Sequence, residues 1–222
     1  MSCCGRSFGS VAEEMFDAGV AARELRRYRR KGPQGTTRDL CESIRLHCAG
    51  ASTVLDIGPG IGALTCELLE AGLPHAIAVD ASSAFLDAAR DEAARRHVAH
   101  RVEWRHADFV AVAADVPAAD IVALDRVVCC YPAIEELLTQ AASHARSCLA
   151  ISYPLEHWYT RGVISAQNTV RRLSGSAFSV FVHSVSRMEA VIRRDGFRLA
   201  SRRGSWVWCA DVYIRDRMGP KD

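Results

Sequence analysis

The sequence predicts an α/β fold: a mostly parallel, doubly wound sheet, preceded by helices and finished by a C-terminal antiparallel hairpin. From residue 51 onward, short apolar runs alternate with longer amphipathic stretches, the pattern of strand–helix units laid on a parallel sheet. The first run ends in the glycine-rich turn Gly58-Pro59-Gly60-Ile61-Gly62. Two late apolar runs flank Arg202-Arg203-Gly204-Ser205, which reads as a hairpin turn.

Taken in order, residues 10–31 read as one helix. Val11, Met15, Ala18, Ala22 and Leu25 recur near helical spacing, and Arg23, Arg26, Arg27, Arg29 and Arg30 fill much of the remainder. Gly32-Pro33-Gln34-Gly35 ends it. A second helix is expected over Thr37–Cys48, with Leu40, Ile44 and Cys48 on one face and Asp39 near its start, where a negative charge suits the helix dipole. Strands follow at Thr53–Ile57, Ala76–Val79, Val102–His106, Ile121–Leu124 and Cys148–Ser152, with helices between them at Ala63–Ala71, Ser83–His97 and Ile134–Ala145. Beyond Tyr153-Pro154 the regularity lapses through Gly175, a length typical of an inserted cap. A helix over Ser186–Asp195 and runs at Phe197–Ser201 and Trp206–Ile214 complete the chain.

A chain of 222 residues fits one sizeable domain with a short appendage. The expected division is a helical lid at 1–49, a main domain at 50–216 with an insertion at about 154–184, and a tail at 217–222. A net charge of +2 gives no global argument for a nucleic-acid partner. No apolar run reaches the roughly 20 residues that span a bilayer, and the N-terminus lacks the order of a secretory signal, so no membrane partner and a cytoplasmic location are expected. Nine cysteines, an odd number in a chain that needs no staples, read as reduced thiols. Neither Cys3-Cys4 nor Cys129-Cys130 has zinc-site spacing, and no metal is predicted.

The glycine turn lies where a strand ending in Leu55-Asp56-Ile57 runs into a helix, so backbone turns tightly there and approaches a ligand. Such turns serve more than one nucleotide class. The second strand ends at Asp80, about twenty residues on, where a carboxylate accepts hydrogen bonds from ribose hydroxyls; an N-cap is the plainer alternative. The third strand leads to Asp108-Phe109, suited to an adenine amino group and to packing against the base.

With these three places the sequence resembles the class I S-adenosylmethionine-dependent methyltransferases, over roughly residues 50–215. The resemblance implies a Rossmann-like methyltransferase fold and S-adenosyl-L-methionine as cofactor. It implies cofactor contacts from Asp56, beside the amino-acid moiety, and from Gly58, Gly60, Gly62, Asp80, Ala81, Asp108 and Phe109. Gly58-Pro59-Gly60 stands where the family more often has Gly-Cys-Gly. The basic N-terminal helices and Arg126–Pro132 are distantly similar to bacterial enzymes grouped with magnesium-protoporphyrin O-methyltransferases.

Methyl transfer from a sulfonium relies on aligning the acceptor and excluding water, so the reaction needs no distinctive catalytic group. The acceptor pocket of a doubly wound sheet lies beyond the strands' carboxyl ends, which points to Asp125–Pro132. Asp125, Tyr131 and His183 are the catalytic candidates. Asp125 and Arg126 are candidates for binding cofactor or acceptor, or for an ion pair at a strand end. Tyr131 either orients an acceptor, acts as a base, or packs before Pro132, and His157 is a further histidine in the same part of the chain. Tyr28, Arg29 and Arg30 are lid candidates, Tyr28 and Arg29 for binding the cofactor, the arginines for neutralising the cofactor carboxylate or an anionic acceptor, or as a solvated helix face. Cys129 and Cys130 read as small buried hydrophobes or, with Cys3-Cys4, as ligands for a thiophilic acceptor such as arsenite or for a thiol. Trp158, Tyr159 and Phe178–Phe181 suit a flat, apolar pocket or a core.

The leading expectation is an enzyme acting on a small-molecule acceptor at oxygen, nitrogen or sulfur, without a nucleic-acid partner; oligomeric state stays open. The competing readings are a nucleotide-dependent oxidoreductase and a non-catalytic nucleotide- or RNA-binding protein using the arginine-rich helix.

Overall fold

The computed structural model describes residues 7–216. The predicted tail at 217–222 and the Cys3-Cys4 pair lie outside the described residues. Three helices come first: α1 (Phe8–Met15), α2 (Ala18–Lys31) and α3 (Thr36–His47). The single helix expected over 10–31 is thus two. The Asp17 carboxylate accepts the Val20 amide at 2.8 Å, an N-cap that starts a new helix two residues after the first ends.

The sheet then builds through β1 (Thr53–Ile57), α4 (Ala63–Glu70), β2 (His75–Asp80), α5 (Ser83–Arg95), β3 (Val102–His106), the single-turn α6 (Phe109–Val112), β4 (Ala119–Leu124), α7 (Ile134–His144) and β5 (Ala145–Pro154). Next come α8 (Trp158–Leu173), α9 (Val185–Arg194), β6 (Phe197–Gly204) and β7 (Trp208–Arg215). Seven strands lie in the order β3-β2-β1-β4-β5-β7-β6. β1 to β5 pair in parallel, while β7 runs antiparallel to both β5 and β6. The C-terminal hairpin is therefore present, but β6 continues through Arg202-Arg203-Gly204, the residues expected to turn.

Side chains alternate across this sheet, so each central strand feeds two cores. Leu55, Val122, Leu124, Leu149, Ile151 and Tyr213 pack with Leu137, Leu138 and Ile192 under α7 and α9. Val54, Ile121, Ala123, Cys148, Ala150 and Val212 pack on the opposite face with Leu40, Ile44, Leu64 and Leu68 from α3 and α4. Burial on both faces is why these strands read as unbroken apolar runs. A third, smaller cluster joins α2 to α5 through Leu25, Tyr28, Ile61 and Phe85.

The largest departure from expectation is the segment after Pro154. It is not irregular but holds the sixteen-residue helix α8, in which only Thr160 is buried. Its apolar residues fall on two faces: Trp158, Val170 and Leu173 are exposed, and Ile164 turns inward, so no single stripe betrays it. Among the described residues no helix is long and apolar enough to cross a membrane.

Candidate active site

The carboxyl ends of the strands open onto one cleft at the point where strand order reverses, between β1 and β4. Its volume is about 690 Å³, with α1 and α2 on one wall and α8 on another.

At one end lies the glycine turn. Gly58 holds φ +64°, its amide donates to the Val79 carbonyl at 2.8 Å, and a Cβ there would meet Val127 Cγ2 at 2.5 Å. Only glycine keeps this stretch of the cleft open. Gly60 donates its amide to Asp80 Oδ2 at 3.1 Å, and the Ser82 amide donates to Asp80 Oδ1 at 2.9 Å. Burial raises the Asp80 carboxyl to about 6 despite these bonds. Gly62 caps α4 in the left-handed conformation, and its Cβ position is 3.0 Å from that of Ala89. It does not line the cleft, which corrects its expected cofactor contact: its work is to let α4 pack against α5.

Asp56 is buried at the end of β1. Thr65 donates to its Oδ2 at 2.6 Å, while Oδ1 has no hydrogen-bond partner among the described residues. Burial pushes this carboxyl up to about 7, with Asp125 and Asp80 adding repulsion. Ala81 and the ring of Phe109 line the same end. Asp108 caps α6, its Oδ1 accepting the Val110 amide at 3.2 Å, and its two oxygens accept the Tyr131 hydroxyl, each at 3.3 Å.

Each catalytic candidate has hydrogen-bond partners within the fold. Asp125 lines the cleft, but its carboxylate accepts Thr36 Oγ1 at 2.8 Å, Ser152 Oγ at 2.7 Å and the Thr37 hydroxyl, and so clamps α3 onto the ends of β4 and β5. Tyr131 lines the cleft with its hydroxyl spent on Asp108. Burial and that carboxylate push its pKa up, the wrong direction for a base. His183 lies off the cleft, its Nε2 donating to the Tyr131 carbonyl at 3.0 Å, and burial lowers its pKa. His157 stacks on Tyr159 and likewise lies off the cleft.

The lid residues divide. Tyr28 presents its ring to the cleft while its hydroxyl donates to Glu67 Oε1 at 2.8 Å. Arg29 turns away from the cleft. It pairs with Asp91 at 2.7 Å and with buried Glu92 at 2.8 Å, where Arg95 and Arg96 also converge. Burial works to raise the Glu92 pKa, but the three arginines bring it down to about 2. Arg29 is thus a structural cation, absorbed by a carboxylate more than sixty positions away that no local pattern discloses.

On the acceptor side, Arg126 holds φ +63°, unusual for a side-chain-bearing residue, with its amide donating to Ser152 Oγ at 2.7 Å and its guanidinium 5.3 Å from the Trp208 ring centre. Cys129 and Cys130 both line the cleft, with their sulfurs 3.7 Å apart, and the seven cysteines among the described residues are free thiols. Tyr159 and Phe178 line the cleft, whereas Trp158 and Phe181 do not. Residues missed from sequence are Thr160, Ile164, Gln167 and Arg171 on α8, and Phe8, Ala12 and Phe16 from the first helix and its end. The spacing 160, 164, 167, 171 is one helical face and was the available signal.

Comparison with known proteins now gives the class. The family model described as a methyltransferase domain matches residues 54–149, from β1 into β5. No curated protein matches the chain. Among solved structures, magnesium protoporphyrin IX methyltransferase from Synechocystis PCC 6803 with bound S-adenosylhomocysteine superposes with a TM-score of 0.75 at 17% identity, covering 95% of this chain and 100% of that one. The mitomycin 7-O-methyltransferase gives 0.63 at 21% identity, over 95% of this chain and 61% of that one. The cyclase SpnF gives 0.70 at 10% identity, over 95% and 97%. These likenesses establish a Rossmann-like methyltransferase fold. Residues 54–149 thus match a methyltransferase domain, set in a fold shared with solved methyltransferases that bind S-adenosylmethionine or S-adenosylhomocysteine.

The cleft suits that cofactor. Asp56 Oδ1 is a buried acceptor without a donor among the described residues, and the open cradle at Gly58 is space that a Cβ would fill. Carboxylates crowd this end, which favours a ligand carrying positive charge.

Proposed function

We propose that the chain transfers a methyl group to a small-molecule acceptor at oxygen, nitrogen or sulfur by in-line displacement. The observation that carries this reading is the continuity of the cleft, whose acidic glycine-turn end runs directly into an apolar chamber under α8. When bound, S-adenosylmethionine supplies a sulfonium-activated methyl. On this reading Asp80 takes the ribose hydroxyls, Asp108 and Phe109 hold the adenine, Asp56 accepts the ammonium, and the Gly58 and Gly60 backbone gives close approach, with Ala81 beside it. Tyr28 contributes a wall rather than a polar contact. Asp125 is a positioning residue that fixes Arg126 at the boundary of the two halves. Alignment and exclusion of water by the lid and α8 supply the rate, a source worth up to roughly 7–11 kcal/mol.

The same fold also serves a cyclase, so product analysis is the decisive test. Purified protein with S-adenosylmethionine is offered carboxylic acids, phenols, amines, thiols, arsenite and tetrapyrroles, and S-adenosylhomocysteine is followed by mass spectrometry. A methylated product formed in equal amount with S-adenosylhomocysteine is expected. Binding of S-adenosylhomocysteine with no methylated product from any class overturns the reading. A thiophilic acceptor is the second reading, supported by the Cys129–Cys130 pair on the cleft wall; unchanged turnover in Cys129→Ser and Cys130→Ser removes it.

A further inference from the structure

The two halves of the cleft differ in charge. The glycine-turn half holds the carboxylates Asp56, Asp80, Asp108 and Asp125, and the lid adds Glu24 and Arg27, which offset each other. The chamber beyond β4 and β5 is lined by apolar and aromatic side chains, and its charged side chains are Arg126 and Arg171. Among the described residues neither guanidinium has a carboxylate partner. Arg126 lies over Trp208, and Arg171 lies 5.9 Å from the Phe178 ring centre with one Nη1 bond, at 3.2 Å, to Asn168 Oδ1. A guanidinium seated on an aromatic face keeps its N–H edge free for a ligand. Asp125, next in the chain to Arg126, is already bound by three hydroxyls. The left-handed backbone at Arg126 is strain of the kind that persists where a side chain is aimed for function.

Among the described residues, the carboxylate, phenol and imidazole groups nearest the chamber are engaged elsewhere, which leaves the free thiols Cys129 and Cys130 on its wall. Tyr131 is tied to Asp108, His183 faces a carbonyl, and Asp108 and Asp125 are occupied by hydroxyl donors. Glu24 stands on the exposed face of α2 beside Arg27, on the lid side. Two cations without carboxylate partners among the described residues, beside oxygen and imidazole groups that are already engaged, suit a nucleophile that arrives already ionised.

Resting on the methyl-transfer reading, we infer that the acceptor is an apolar organic acid, a carboxylic acid or acidic phenol, whose own oxyanion is the nucleophile and is held by Arg126 and Arg171. The oxyanion's lone pair forms the bond to the methyl carbon, and the pair of the breaking carbon–sulfur bond stays on sulfur. The negative charge on oxygen and the positive charge on sulfur cancel, and no proton moves.

The test is calorimetric, on the full chain saturated with S-adenosylhomocysteine. Naphthalene-2-carboxylate, cinnamate and indole-3-acetate are each titrated against their primary amides and against naphthylmethylamine. The carboxylates are expected to bind at least about tenfold more tightly than the amides, ~1.4 kcal/mol. Arg171→Gln and Arg126→Gln should each remove most of that preference and leave the amide affinity unchanged, which also shows that the variants fold. Glu24→Gln should keep the preference. Carboxylates binding no more tightly than their amides, the amine binding best, or a preference that survives both arginine substitutions overturns the inference. Failure of S-adenosylhomocysteine itself to bind would instead strike the methyl-transfer reading, so the two failures are distinguishable.

Discussion

The two ends of the cleft are built in different ways. The glycine-turn end is assembled from strand ends and the residues just after them, Asp56–Gly60, Asp80–Ala81 and Asp108–Phe109, each placed by parallel pairing of β1, β2 and β3. The chamber end draws on α8, the 126–131 segment, Phe178–Val180 and the start of β7. At the first end backbone geometry dictates residue type. At the second, side chains from separate elements meet only in the folded state. Substitutions at the first end should therefore act through backbone and charge, and those at the second through the ligand alone.

Gly58→Ala carries the largest expected effect. A side chain at φ +64° costs about 1–2 kcal/mol, and the clash with Val127 adds to it. Stability should fall by about 2 kcal/mol or more in denaturant melts, and S-adenosylhomocysteine affinity should fall by more than about tenfold. Wild-type affinity would mean that the turn does not approach the ligand.

Asp56→Asn is next, and its sign depends on pH. Burial raises this carboxyl to about 7, so between the ordinary carboxylate range and about pH 7 the folded chain keeps a proton that the unfolded chain releases. Stability from this group is present at low pH and is lost as pH rises through that window. Without cofactor, Asp56→Asn should be more stable than wild type by ~1–2 kcal/mol at about pH 8, with the gain vanishing toward pH 4. A gain independent of pH would place the carboxyl's titration elsewhere.

The smallest effect belongs to the chamber's outer helix. Gly162 lies within α8 with open space at its Cβ position, so Gly162→Ala should raise stability by about 0.5–1 kcal/mol and leave S-adenosylhomocysteine binding unchanged. A loss of stability would show that α8 packs more tightly than its exposure indicates.

This contrast also explains what the sequence disclosed. The strands at Thr53–Ile57 and Val102–His106, the helix starts at Ala63 and Ser83, and the acidic pair Asp80 and Asp108 follow from local patterning. The clamp on Asp125 joins residues 27, 88 and 89 positions apart, and no periodicity relates them. Arg29 reads from sequence either as a lid cation or as part of a solvated helix face, yet buried Glu92 claims it. His183 lay in the right part of the chain, but a backbone carbonyl holds its ring. Helix α8 was hidden because one face lines a cleft and another meets solvent, so neither reads as core.

The central claim is that the glycine-turn end of the cleft holds the cofactor through Asp80. Isothermal titration of S-adenosylhomocysteine into wild type and Asp80→Asn tests it most directly. One site per chain is predicted, with affinity reduced by more than about tenfold in the variant while its melting curve stays cooperative. Equal affinity in the two proteins, or tighter binding of NAD than of S-adenosylhomocysteine to wild type, would contradict it.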